Sequence, residues 1–106
     1  KMWVEKLIKI SKIDEEIFEV TVTKDSTTIH RINLSLEVYK KISDSKISKI
    51  ELIKKSFEFL LERESNESIL REFNLETIEN YFPEYPISIK KTFNWYPELL
   101  STNLIN

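Results

Sequence analysis

From Ile17 to Thr23 the side chains alternate: Phe18, Val20 and Val22 fall on one face, Glu19, Thr21 and Thr23 on the other. That period of two belongs to a strand half-buried against a core. Lys24-Asp25-Ser26 supplies a turn, and Thr27 to Leu34 returns as a second strand with Ile32 and Leu34 on one face. A β-hairpin is the economical reading. Residues 3 to 13, WVEKLIKISKI, fit two periods at once. Trp3, Leu7 and Ile10, with Val4 and Ile8, make a helical stripe, while Ile8 and Ile10 also suit a third strand.

Beyond the hairpin the period lengthens. Ser35 precedes a short helix, Leu36 to Ile42, and the polar break Ser43-Asp44-Ser45-Lys46 follows. Ser48 and Glu51 stand at capping-box spacing, with Ile47 and Leu52 placed as a hydrophobic staple,. The helix they open predicts Ile50, Ile53, Phe57, Leu60 and Leu61 as its buried stripe, and Glu51 to Lys55 as an exposed i,i+4 pair. Ser65 or Asn66 starts a third helix burying Ile69, Leu70 and Phe73. Asn74 caps a fourth, Leu75 to Phe82, with Leu75, Ile78 and Phe82 inward, and Pro83 ends it. Past Pro86 the pattern weakens, and residues 88–106 read as an appended segment.

The expected fold is therefore α+β: an N-terminal β-hairpin, with two strands or three, packed on three to four short helices in one domain spanning 1–106. A chain of 106 residues can bury one modest core,. The stretch from Phe57 to Pro86, FEFLLERESNESILREFNLETIENYFPEYP, resembles the C-terminal signature of small bacterial proteins known as uncharacterised open reading frames. The resemblance covers roughly residues 16 to 86. It implies a compact fold and brings no activity with it.

Composition narrows function mainly by exclusion. The chain has no glycine, so phosphate-cradling loops, dinucleotide fingerprints and nucleophile elbows cannot exist in their usual form,. Its turns fall to Asn, Asp, Ser or Lys. It has no cysteine, hence no disulfide, thiol nucleophile or thiolate metal site,. No apolar run approaches the ~18 residues that span a bilayer. Lys1 to Lys12 is interrupted by charge and lacks a signal peptide's apolar centre, so a cytoplasmic home is expected. The net charge of −2 and the absence of any basic run beyond a lysine pair lower the expectation of phosphate-driven nucleic-acid binding,.

Candidate chemistry is sparse. His30 is the one histidine, and a lone imidazole makes no zinc site,. It reads as a packed or half-exposed hairpin residue with no nucleophile beside it. Asp14-Glu15-Glu16 reads as a solvated loop and Glu62-Arg63-Glu64 as a helix end. No catalytic residue, metal ligand, cofactor or small-molecule substrate is expected, and the chain reads as a non-enzyme.

Two interaction surfaces stand out. The run His30 to Ser35, followed by two helices, resembles the ribbon-helix-helix pattern of bacterial repressors and antitoxins. There two chains pair their strands and outward side chains enter the major groove. The resemblance places Arg31 and Asn33 outward, for guanine and adenine, and the amides near Ser48 against phosphate. Ile17 to Thr23, however, offers that strand a partner within the chain. The second surface is Trp95 and Tyr96. They lie in an echo, Asn94-Trp-Tyr-Pro-Glu, of Asn80-Tyr-Phe-Pro-Glu. Aromatics of this kind are favoured where an apolar body meets a wet rim. The favoured function is a non-catalytic protein-interaction or regulatory domain, with a protein partner or self-association into a homo-oligomer. The alternative is the ribbon-helix-helix DNA-binding regulator or antitoxin.

Overall fold

The computed structural model describes residues 7 to 93. Strands β1 (Leu7–Lys12), β2 (Ile17–Thr23) and β3 (Thr27–Asn33) form an antiparallel meander. Helices α1 (Leu36–Ser43) and α2 (Lys49–Leu61) follow, and β4 (Glu72–Asn74) then joins β3 in parallel. The order across the sheet is β1-β2-β3-β4. Two helices between β3 and β4 supply the long crossover that a parallel pair requires. Helices α3 (Ile78–Tyr81) and α4 (Tyr85–Phe93) complete the α+β fold. Of the two sequence periods available to residues 3–13, the strand is the one adopted from Leu7 to Lys12.

One face of the sheet makes the core. Phe18, Val20, Val22, Thr28, His30 and Ile32 are buried by the period-two pattern of β2 and β3. The four apolar ones, Phe18, Val20, Val22 and Ile32, pack in one cluster with Leu52, Ile53, Phe57 and Leu60 of α2. Ser35 and Ser48 open the two crossover helices, their hydroxyls accepting from the amides of Val38 at 3.2 Å and Glu51 at 3.0 Å,. Between the helices the chain turns without glycine. Asp44 and Ser45 take positive φ, 55° and 58°. The Ser43 hydroxyl accepts from the Ser45 amide at 2.9 Å and donates to the Tyr39 carbonyl at 2.6 Å. Such local side-chain bonds hold the turn that a glycine would otherwise ease.

Three expectations are corrected. Ile50 is 43% exposed, whereas Leu52, Ser56 and Phe59 join the buried set of α2. The buried positions span roughly 200° of the circumference, from Phe59 through Ile53 to Leu61,, because α2 touches both the sheet and α4. Ile50 falls within that span but in the first turn, where it stays uncovered. The expected third helix is a single 3-10 turn, Asn66–Ser68, followed by β4. Ile69 is buried but Leu70 is not. Three residues are too few to show alternation, and they extend because β3 has an edge to pair.

The third correction concerns only residues 88–93 of the segment read as appended, since 94–106 lie outside the described residues. Residues 88–93 are the continuation of α4, whose Tyr85 and Ile89 are buried in the main core. Pro86 does not end structure here. It stands in the first turn of α4, where a missing amide hydrogen removes no helical bond.

Candidate functional site

A groove of about 160 Å³ opens where the end of α2, the segment before β4 and α3 meet. Buried Leu60, Ile69 and Ile78 form its inner wall, and half-buried Phe73 and Phe82 contribute apolar sides. Leu70 and Tyr81 also line it, yet remain 47% and 64% exposed. The volume is close to the ~150 Å³ that accommodates one benzene-sized group. Glu64, Ser68 and Thr77 supply the polar lining.

A chain of hydrogen bonds fixes the Leu70 side of this groove. The Asn66 side-chain amide donates to the Ser26 carbonyl at 3.1 Å and to the Thr28 hydroxyl at 3.0 Å. Thr28 stands 2.8 Å from Nε2 of His30, whose Nδ1 lies 2.7 Å from the Leu70 carbonyl. A carbonyl only accepts, so Nδ1 carries the proton and Nε2 accepts from Thr28. The Arg31 amide adds a 2.7 Å bond to the Arg71 carbonyl. The sheet thus holds two successive carbonyls, those of Leu70 and Arg71, through the His30 ring and the Arg31 amide. Burial pushes the His30 imidazole below its ordinary pKa; the Leu70 carbonyl opposes this and the Arg71 charge adds to it,. His30 is packed, with Phe57 against its ring at 5.3 Å.

The α3 side is anchored differently. The guanidinium of Arg63 lies 3.6 Å from the Phe59 ring centre and pairs with Glu84 at 3.4 Å. Phe59 meets Phe82 and Tyr85 edge to face, at 5.8 and 5.3 Å. Tyr85 is buried against Ser56 at 2.6 Å, and Ser56 itself donates to the Leu52 carbonyl at 2.8 Å. The phenol is therefore the donor of that pair, and burial drives its pKa far above the usual range.

The residues singled out from the sequence lie elsewhere. Arg31 and Asn33 occupy the open face of the sheet and are exposed, as their outward assignment requires. Ile32 and Leu34 are buried, again as expected. Yet β3 pairs with β2 on one side and β4 on the other, leaving no edge for a second chain along β4's length. In the sheet register Arg31 stands between Glu19 and Glu72, so carboxylates border it on both neighbours. The Ser48 hydroxyl is engaged with its own helix. Trp95 and Tyr96 lie outside the described residues.

The groove was not visible in the sequence, because it depends on Leu70 and Tyr81 meeting across β4 and the turn after it. The one available signal was charge density. Between Leu60 and Phe82 stand Glu62, Glu64, Glu67, Glu72, Glu76 and Glu79 against Arg63 and Arg71, a balance of −4 where the whole chain carries −2. Glu67, Glu72, Glu76 and Glu79 are exposed, and each adjoins a lining residue in sequence. A second hollow, of about 290 Å³ between α2 and α4, has a mixed rim including Glu58, Arg63 and Lys91. It borders the end of the described residues. No helix among the described residues is long and apolar enough to cross a membrane. Comparison of the chain with protein-family models, curated proteins and solved structures gave no match.

Proposed function

We propose that this chain is a non-catalytic protein-interaction module, and that its groove receives an apolar side chain from a segment of a different protein. The supporting observation is the pair Leu70 and Tyr81, large and exposed beside an apolar groove whose walls are held by the core. Exposed apolar groups grouped around a concavity mark interaction sites more often than isolated ones do. The walls are preorganised by His30 on one side and the Arg63 stack on the other, so docking need order little of the chain.

A second copy is the less suited occupant. A two-fold dimer across this face would set the same surface against itself. Its carboxylates would then oppose each other at close range, and like charges across an interface are unfavourable.

The test is a nuclear magnetic resonance titration of the 15N-labelled chain with synthetic helical peptides that share a Leu/Phe face and differ in their polar face. Shifts are expected at Leu70, Phe73, Thr77 and Tyr81. They should vanish in the double variant Leu70→Ser, Tyr81→Ser, whose exposed positions leave the fold intact. Sedimentation runs beside it. No groove shift with any peptide, or concentration-dependent dimerisation abolished by the same double variant, would overturn the proposal.

A further inference from the structure

We infer that the partner segment is basic and amphipathic: one Leu, Phe or Met anchor for the groove, with Lys or Arg on its flanks. The inference rests on the groove as the docking site and adds the chemistry of the occupant. The groove has room for a single apolar group, at about 160 Å³, which sets the anchor. Everything around that group sets the flanks.

The charges around the groove are mostly acidic. Glu64 lines the groove itself, and Glu67, Glu76 and Glu79 stand exposed next in sequence to lining residues Ser68, Thr77 and Ile78, whereas Glu72 lies on the open face of the sheet beside Arg31. Of the two nearby guanidiniums, Arg63 is already engaged with the Phe59 ring, the Phe59 carbonyl at 2.9 Å and the Glu62 and Glu84 carboxylates at 3.4 Å. Arg71 remains as the rim's exposed cation beside Leu70. An acidic rim raises the local concentration of a cationic segment and rejects anionic ones, including nucleic acid. Such rim charges act within a Debye length, ~8 Å at physiological salt, so they read the residues flanking the anchor rather than the partner's distant charge.

The experiment uses the full chain and three synthetic helical peptides with one identical Leu/Phe face, their polar faces built of Lys, Gln or Glu. Affinities are measured by fluorescence anisotropy at low and physiological salt. The Lys peptide should bind about tenfold more tightly than the Gln peptide at low salt, the Glu peptide most weakly, and the spread should narrow as salt rises. The triple variant Glu67→Gln, Glu76→Gln, Glu79→Gln should erase the preference while the Gln peptide binds as before. Equal binding of all three peptides at the groove overturns the basic partner and leaves the docking site standing. A Lys preference that survives Leu70→Ser, Tyr81→Ser places the attraction away from the groove and overturns this inference. Absence of binding by every peptide overturns the docking site, and the partner chemistry with it.

Discussion

Thr28 and His30 stand two residues apart on β3, both buried, with the Thr28 hydroxyl 2.8 Å from Nε2 of the ring. Because Asn66 donates to Thr28 and His30 donates to Leu70, each hydrogen in the chain of bonds has one place to go. The arrangement suits a neutral imidazole. Adding a proton at Nε2 makes both ring nitrogens donors, and the Thr28 hydroxyl hydrogen then loses its acceptor.

A pH dependence follows, with its sign set by the lowered pKa of His30. Below the ordinary histidine value of ~6.5 the unfolded chain takes up a proton that the folded chain resists. Stability is therefore present above that value and lost as pH falls through it towards the lower folded pKa. Urea titrations across this window should show the midpoint falling with acidification, and His30→Gln should flatten that part of the profile. A wild-type midpoint that rises on acidification would contradict the buried neutral ring.

Phe57 is the centre of the core, fully buried on α2 between the His30 ring and, at 6.2 Å, the Phe73 ring. Phe57→Ala should cost about 3–5 kcal/mol in chemical denaturation, from lost burial together with the cavity left behind. A loss within error would remove α2 from the core.

Ile89 decides whether α4 belongs to the fold. It is buried with Tyr85 in the main cluster, so Ile89→Ala should cost about 2–5 kcal/mol by the same measurement,. A neutral result would return residues 88–93 to the status of an appendage.

Ser56 and Tyr85 predict an asymmetry. Tyr85→Phe removes one hydrogen bond and leaves Ser56 donating to Leu52, a loss of about 0.5–1.5 kcal/mol,. Ser56→Ala strands a buried phenol hydrogen and should cost more, about 1–3 kcal/mol. Paired unfolding curves check the order, and the reverse order would show that Tyr85 is not the donor.

Arg31 and Asn33 give a prediction about DNA. With Glu19 and Glu72 beside Arg31 in the register, a mobility-shift titration at low salt should show no retarded complex,. A salt-sensitive complex lost in Arg31→Ala would make the open sheet face, rather than a two-chain ribbon, the DNA contact.

The sequence by itself determined what local periods and caps can encode. The alternation Phe18-Val20-Val22 dictated both the extent of β2 and its inward face, because a period of two admits one orientation against one core. Ser35 and Ser48 fixed where α1 and α2 begin, since a hydroxyl before a helical run satisfies amides within reach along the chain,. The absence of glycine likewise announced that a turn would fall to residues such as Asp44 and Ser45.

Tertiary structure decided everything that needs a partner distant in the chain. Ile69, Leu70 and Phe73 have helical spacing, yet the edge of β3 draws Glu72–Asn74 into a strand, because unpaired backbone groups at a sheet edge gain more from a new ladder than three residues gain from one helical turn. Pro86 looked like an ending until Tyr85, bonded to Ser56 29 residues away, made it the start of α4. The groove is of the same kind. Leu70 and Tyr81 are unremarkable apolar residues along the chain, and only the sheet that fixes the Leu70 carbonyl through His30, 40 residues earlier, sets them beside one hollow. Local sequence encodes the period of an element, whereas burial depends on which other elements arrive to cover it.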